Sequence, residues 1–167
     1  MAGCGGTVTQ PLPLLDLVEP PAVAPGDSTK VLPSLRGLSV LVVDDALDAR
    51  DSLAMFLEEC GARVTAVASA AEALEALPLA RPDVLVSDLA MPGIDGYGLL
   101  ARMRELEAGG ARPVPALALS GHARPQDRER TLAAGFQAHM AKPAEPAELA
   151  SAVARLAARG RLARTGT

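Results

Sequence analysis

The sequence predicts an α/β fold, built as a single, doubly wound, five-stranded parallel sheet with five helices. Five apolar runs of strand length recur between residues 36 and 160, and segments with helical apolar spacing separate them. Several runs are almost continuously apolar and rich in β-branched residues, which is typical of strands covered on both faces. Strands that alternate with helices favour a parallel sheet with right-handed crossovers and with functional sites at the carboxyl ends of the strands.

Each element has its own signal in the sequence. The predicted strands are 39–44, 62–67, 83–88, 115–120 and 136–141. Leu53, Phe56, Leu57 and Cys60 indicate the first helix, Ala70, Ala73, Leu74 and Leu77 the second, Leu99, Leu100, Met103 and Leu106 the third, and Leu149, Ala152, Val153 and Leu156 the fifth. The fourth helix, about 126–134, has only a thin apolar face, which predicts loose packing or a role in contacting a partner.

Capping signals support the helix positions. The segment Ser69-Ala-Ala-Glu72 is a capping box, and Gly61 and Gly135 stand where helices should end. Pro125 and Pro146 occupy plausible first-turn positions.

Composition divides the chain and excludes several functions. Residues 1–35 are predicted to be a Pro/Gly-rich linker or the remnant of a preceding domain, 36–160 the folded domain, and 161–167 a disordered tail too short for an output domain. A net charge of −4 and an aromatic content of 2% argue against direct binding to nucleic acid. No apolar stretch approaches the roughly 20 residues that a membrane-spanning helix needs. Two cysteines make no disulfide framework, so a cytoplasmic location is expected.

Polar residues stand at the ends of the predicted strands. Asp44 and Asp45 follow the first strand, Asp88 ends the third, Ser120 ends the fourth, and Lys142 follows the fifth. We expect all of them to face one crevice, where three carboxylates repel one another unless a cation is present. Oxygen ligands of this kind suit Mg²⁺, and a lysine with a hydroxyl suits the oxygens of a phosphoryl group. Taken singly, Asp45 could be a helix cap and Ser120 a turn residue, but their ordered recurrence favours a site.

These motifs resemble the receiver domains of response regulators, the phosphoacceptor domains of two-component signalling, which have a flavodoxin-like fold. The resemblance rests on Val-Leu-Val-Val-Asp44-Asp45, on Asp88-Leu-Ala-Met-Pro-Gly-Ile-Asp-Gly96, on Leu-Ser120-Gly121 and on Lys142-Pro143. It covers residues 39 to about 158. The Met-Pro and Asp-Gly pairs of the second motif are expected to shape the loop rather than to take part in chemistry.

The resemblance implies a role for each residue. Asp88 would accept the phosphoryl group, and Mg²⁺ would be held by Asp45, Asp88 and the backbone carbonyl of Ala90, with Asp44 acting through a bound water. Lys142 would neutralise the transferred group, and Ser120 would be the switch hydroxyl. Such transfer depends on positioning and charge neutralisation.

One position departs from the family. The switch aromatic that stands three residues before the lysine is most often Tyr or Phe, and here it is His139. An imidazole is smaller and titratable, so either a pH-sensitive variant of the switch or an ordinary half-exposed strand histidine is compatible with the sequence.

The resemblance also implies partners. A histidine kinase or a phosphotransfer His domain would supply the phosphoryl group, and the fourth helix, fifth strand and fifth helix would form the responsive surface and a possible homodimer contact. Gly5-Gly-Thr-Val-Thr9 and the following Leu12-Pro-Leu14 resemble the last strand of a histidine-kinase ATPase domain, which would make the chain the C-terminal receiver of a hybrid histidine kinase.

Two other functions compete with a phosphoacceptor switch that is not itself an enzyme. A Mg²⁺-dependent phosphatase also uses an aspartyl nucleophile on a parallel sheet, but it carries a second acidic residue two positions after the nucleophile, and Asp44-Asp45-Ala46-Leu47 lacks that spacing. A degenerate receiver that takes no phosphoryl group is disfavoured, because every charged member of the set is present.

Overall fold

Five parallel strands form where the apolar runs predict them. In the computed structural model, which describes residues 31–121 and 124–165, they are β1 (Ser39–Val43), β2 (Arg63–Val67), β3 (Val84–Asp88), β4 (Ala116–Ser120) and β5 (Ala138–Ala141). Their order in the sheet is β2-β1-β3-β4-β5. The winding direction reverses between β1 and β3, so a crevice opens beyond the carboxyl ends of these two neighbouring strands.

Five helices connect and cover the strands. They are α1 (Leu47–Glu59), α2 (Ala70–Ala80), α3 (Gly96–Glu107), α4 (Pro125–Ala133) and α5 (Pro146–Thr165). The predicted cap at Ser69 is confirmed, because its Oγ accepts the N–H of Glu72 at 3.2 Å. The Glu72 carboxylate accepts the N–H of Ala68, one residue before the cap, at 3.1 Å, so the capping box is shifted by one residue on that side. Gly61 and Gly135 follow helix ends with φ of 104° and 113°, a conformation that glycine adopts without strain.

Alternate strand residues feed two apolar cores on opposite faces of the sheet. Val40 and Val42 pack with Leu57 and Val153, so one core lies beneath α1 and α5. Leu41 and Val43 belong to the other core, which is completed by residues of α2 and α3 and by Phe136. Both faces of β1, β3 and β4 are therefore buried, which explains their nearly continuous apolar sequences.

The domain extends beyond both predicted boundaries. Leu35, which we assigned to the linker, is fully buried in the first core, and its N–H donates to the Cys60 carbonyl at 2.8 Å. The prediction of a disordered tail from residue 161 is wrong, since α5 continues past Gly160 to Thr165. The Arg and Ala residues around Gly160 favour a helix and outweigh its cost of about 1 kcal/mol. Residues 1–30 of the predicted linker, with the kinase-like segment, lie outside the described residues.

Candidate functional site

Three carboxylates meet beyond the carboxyl ends of β1 and β3. Asp44 is fully buried, Asp88 is 5% exposed, and Asp45 is exposed to solvent. One carboxylate oxygen from each lies within 4.8 Å of the others. The structure thus brings together the three acidic residues that the strand-end pattern predicts.

Lys142 places its charge between two of these carboxylates. Its Nζ donates to Asp44 Oδ2 at 2.8 Å and lies 3.2 Å from Asp88 Oδ2. The backbone N–H of Lys142 donates to the Ser120 carbonyl at 2.7 Å, which fixes the lysine beside the end of β4, and the following peptide bond to Pro143 is cis. Burial alone lowers the pKa of Lys142, but hydrogen bonds and attraction from Asp44 and Asp88 outweigh it, so the pKa is raised and the side chain is an ammonium ion at neutral pH.

Backbone amides fix the orientation of the two buried carboxylates. The N–H of Ala46 donates to Asp44 Oδ1 at 2.9 Å, and the N–H of Ala90 donates to Asp88 Oδ1 at 3.2 Å. Each carboxylate therefore has one oxygen held by the backbone and the other directed toward Lys142. This arrangement orders the acidic residues before any ligand binds.

Two residues that the sequence did not point to fix the backbone of the acidic residues. Arg50 Nη1 donates to the Asp44 carbonyl at 2.9 Å, and Ser87 Oγ donates to the Asp88 carbonyl at 2.9 Å. Each residue stands at a position where its type is disfavoured, and this conflict is the signal that could have identified it. Arg50 is a cation in the first turn of α1, where the helix dipole disfavours positive charge, and Ser87 is a polar residue in a fully buried strand.

The donor set fits a hard divalent cation. The cluster offers carboxylate oxygens alone, without the imidazole or thiolate ligands that softer metals prefer. Three acidic groups around one lysine leave net negative charge in a largely buried pocket, which a cation would neutralise. Asp44, Asp45 and Asp88 are therefore the residues here that could hold Mg²⁺.

Ser120 and His139 lie on the same face of the sheet. His139 pairs with Ala118 in the β4–β5 register, and Ser120 is two residues farther along β4. Ser120 is 7% exposed at the strand end, and His139 is half-buried with Asp127 and Arg128 of α4 near it. The Nε2 atom of His139 is buried without a hydrogen-bond partner in the described part of the chain. Burial lowers the pKa of His139, the nearby charge of Arg128 lowers it further, and Asp127 only partly opposes both effects.

The loop after Asp88 has the structural role that the sequence predicts for its Asp-Gly pair. Asp95 Oδ1 accepts the N–H of Gly98 at 2.8 Å and caps α3. Gly96 packs directly on the strand end, where an added Cβ would lie 2.6 Å from the Asp88 carbonyl oxygen. Only glycine allows α3 to begin this close to Asp88.

Comparison with known proteins identifies the family. Residues 40–154 match the response regulator receiver domain family. The chain belongs to the receiver family. It is a signalling module with the phosphoacceptor role that the sequence resemblance predicts.

Individual relatives of this receiver are of several kinds. An uncharacterized 14.6 kDa protein of Leptolyngbya boryana is 46% identical over 116 residues, which are 70% of this chain and 87% of that protein. The sensory/regulatory protein RpfC of Xanthomonas campestris is 34% identical over 123 residues, 74% of this chain but only 17% of RpfC. The receiver domain of the Pseudomonas aeruginosa sensor histidine kinase PA1611, solved with magnesium in its active-site cleft, has 33% identity and a TM-score of 0.65 over 73% of this chain and 98% of that one.

The described helices also bear on membrane association. Within residues 31–121 and 124–165, none combines the length and the apolar character that crossing a bilayer requires.

Proposed function

We propose that Asp88 accepts a phosphoryl group in a Mg²⁺-dependent reaction and becomes an aspartyl phosphate. The observation that carries this proposal is the position of Lys142, whose ammonium bridges the buried Asp44 and the strand-end Asp88 at 2.8 and 3.2 Å. The ammonium therefore stands beside the Asp88 oxygen that a phosphoryl group would approach, where it can neutralise the oxygens of the transferred group.

Each residue of the site would have its own role in phosphoryl transfer. A carboxylate oxygen of Asp88 attacks phosphorus as the bond from phosphorus to the donor nitrogen breaks, so that an acyl phosphate replaces a phosphohistidine. Lys142 neutralises the oxygens of the transferred group, and the Ser120 hydroxyl donates to one of them after transfer. Asp44, Asp45, Asp88 and the backbone carbonyl of Ala90 would hold Mg²⁺. When bound, the ion supplies positive charge that offsets the carboxylates and the phosphoryl oxygens.

The output would be a change in the surface made by α4, β5 and α5. Ser120 and His139 share one face of the sheet, and residues of α4 lie near His139, so inward movement of Ser120 would open space into which the His139 ring can turn. This surface would contact partners and could support a homodimer. The exposed Arg124, Arg128 and Arg130 suit an acidic partner surface.

The donor would be a histidine kinase or a phosphotransfer His domain in the cytoplasm. We also propose that the chain is the C-terminal receiver of a hybrid histidine kinase. Similarity to RpfC and to hybrid signal transduction histidine kinase D of Dictyostelium discoideum, of which the chain spans 17% and 8%, supports this placement, as does the kinase-like segment before the domain. Any kinase activity would then belong to the parent chain.

Chemical phosphorylation tests the proposal directly. The purified chain would be incubated with acetyl phosphate with and without Mg²⁺, and its intact mass recorded, with Asp88→Asn as the matched control. We expect one phosphoryl group per chain, dependent on Mg²⁺ and absent from the variant. Labelling that is equal in Asp88→Asn, or rapid multiple turnover of phosphate esters, would contradict the proposal.

A further inference from the structure

Tyr97, in the first turn of α3, joins the phosphoacceptor loop to α4. Its hydroxyl lies 3.1 Å from Thr131 Oγ1 on α4. The Arg130 guanidinium, also on α4, lies 4.9 Å from the centre of the Tyr97 ring, and the Phe136 ring meets it edge-on at 6.2 Å. A hydrogen bond, a cation–π contact and an aromatic contact thus converge on one half-buried side chain.

The direction of the hydrogen bond between Tyr97 and Thr131 follows from which hydroxyl has a proton left to donate. Thr131 Oγ1 donates its single proton to the Asp127 carbonyl at 2.7 Å. It can therefore only accept from Tyr97, whose hydroxyl is the donor. Loss of either hydroxyl breaks the same bond.

Tyr97 is also connected to Asp88, through the backbone of Gly96. Gly96 packs so closely that an added Cβ would lie 2.6 Å from the Asp88 carbonyl oxygen and 3.0 Å from Leu89 Cα. Its N–H donates to the Leu89 carbonyl at 3.1 Å. Tyr97 is the next residue, so a shift of the Asp88–Leu89 backbone must move the base of its side chain.

Few other contacts anchor α4. Within this helix, all of which the structure describes, Thr131 is the one fully buried residue, and the apolar Leu132 is 39% exposed. A helix held by so little apolar burial can change position at small cost. The buried residue is the one that Tyr97 holds.

From these contacts we propose that Tyr97 is a positioning residue that couples the phosphoacceptor loop, residues 88–96, to α4. The proposal rests on the proposed phosphorylation of Asp88 and adds a route to α4 through α3, separate from Ser120 and His139. Tyr97 touches no reacting atom. Its effect is on how strongly the state of Asp88 biases α4.

The test uses the full chain with Mg²⁺ and beryllofluoride, a tetrahedral mimic of a phosphoryl group. Amide hydrogen exchange of α4 would be measured with and without the mimic in wild type, Tyr97→Phe, Thr131→Val and Thr131→Ser. Far-UV circular dichroism would confirm that each variant is folded. Because Tyr97 is the only tyrosine and the chain has no tryptophan, the near-UV tyrosine spectrum of wild type and of the two threonine variants reports on the surroundings of Tyr97.

The two threonine variants separate coupling from packing. Val keeps the shape of Thr131 and loses the hydroxyl, whereas Ser keeps the hydroxyl and loses a methyl group. We expect the mimic to bind all four proteins within about twofold, while its effect on α4 exchange falls by about fivefold in Tyr97→Phe and Thr131→Val, the factor that corresponds to about 1 kcal/mol for one hydrogen bond. Thr131→Ser should retain both the effect of the mimic on α4 exchange and the tyrosine spectrum of wild type.

Three results would overturn the proposal, and they differ from one another. If the mimic binds but α4 responds equally in wild type and Tyr97→Phe, or does not respond in wild type, the coupling through Tyr97 is wrong and the phosphoacceptor function stands. If Val retains the effect and Ser loses it, Thr131 acts through packing alone. If wild type does not bind the mimic and takes no label from acetyl phosphate, the proposed function fails together with the coupling.

Discussion

Replacing Lys142 by methionine should destabilise the metal-free protein and make it more dependent on Mg²⁺. At an effective dielectric constant of about 20, the distances of 2.8 and 3.2 Å give attractions of about 6 and 5 kcal/mol from Lys142 to Asp44 and Asp88. The two carboxylates, with oxygens within 4.8 Å, repel each other by about 3.5 kcal/mol or more. Without the lysine this repulsion is unopposed, and the fully buried Asp44 loses its charged partner.

The measured cost is smaller than these attractions, because the ammonium regains its hydration when the protein unfolds. Breaking a buried ion pair costs about 3–5 kcal/mol, and the lower end applies because the Lys142 side chain is 28% exposed. We therefore expect a loss of about 3 kcal/mol in the free energy of unfolding, or a fall of roughly 10 °C in Tm for a domain of this size.

Urea unfolding followed by far-UV circular dichroism, with and without Mg²⁺, would measure this change. Mg²⁺ should stabilise Lys142→Met more than wild type, since it replaces the missing positive charge. Lys30→Met is the matched control, because it removes the chain's other lysine and changes the net charge equally. Equal stability of Lys142→Met and wild type, or an equal gain from Mg²⁺ in both, would refute the electrostatic reasoning.

Other perturbations test separate parts of the structure. Gly96→Ala should lower the free energy of unfolding by about 1–3 kcal/mol, because its Cβ would meet the Asp88 backbone. It should also slow labelling by acetyl phosphate, and unchanged labelling would contradict the close approach of Gly96 to Asp88. Gly160→Ala should stabilise the protein by about 0.5–1 kcal/mol in urea unfolding, since α5 continues through this residue, whereas a disordered tail would give no change. His139 has a lowered pKa, so the unfolded chain binds its proton more readily and stability falls as pH drops below the ordinary value of 6.5. In unfolding measured from pH ~7 to ~5, His139→Phe should lose less stability than wild type, and parallel curves would show that His139 does not contribute.

The strands and the acidic cluster could be predicted because they follow from local sequence and one topological rule. Apolar runs such as that of β1 are buried on both faces, so their composition alone identifies them. Carboxyl ends of parallel strands share one edge of the sheet, which places Asp44 near Asp88 without any knowledge of distances.

Contacts between side chains from separate elements could not be predicted in this way. The bond from Lys142 to Asp44 joins residues 98 positions apart, and its geometry depends on how β5 and β1 lie across the sheet. The contact between Tyr97 and Thr131 joins two helices whose relative placement no local pattern encodes. The end of α5 escapes prediction for another reason, because Gly160 is a weak helix former whose cost is outweighed by the helix formers around it.

Locating the acyl phosphate on the chain tests the central claim most directly. After labelling with acetyl phosphate and Mg²⁺, borohydride reduction converts an aspartyl phosphate to homoserine, which peptide mass spectrometry assigns to one position. Phosphoacceptor function at Asp88 predicts homoserine at position 88 and unmodified aspartate at 44 and 45. Homoserine at Asp44 or Asp45, or none at any of the three positions, would contradict it.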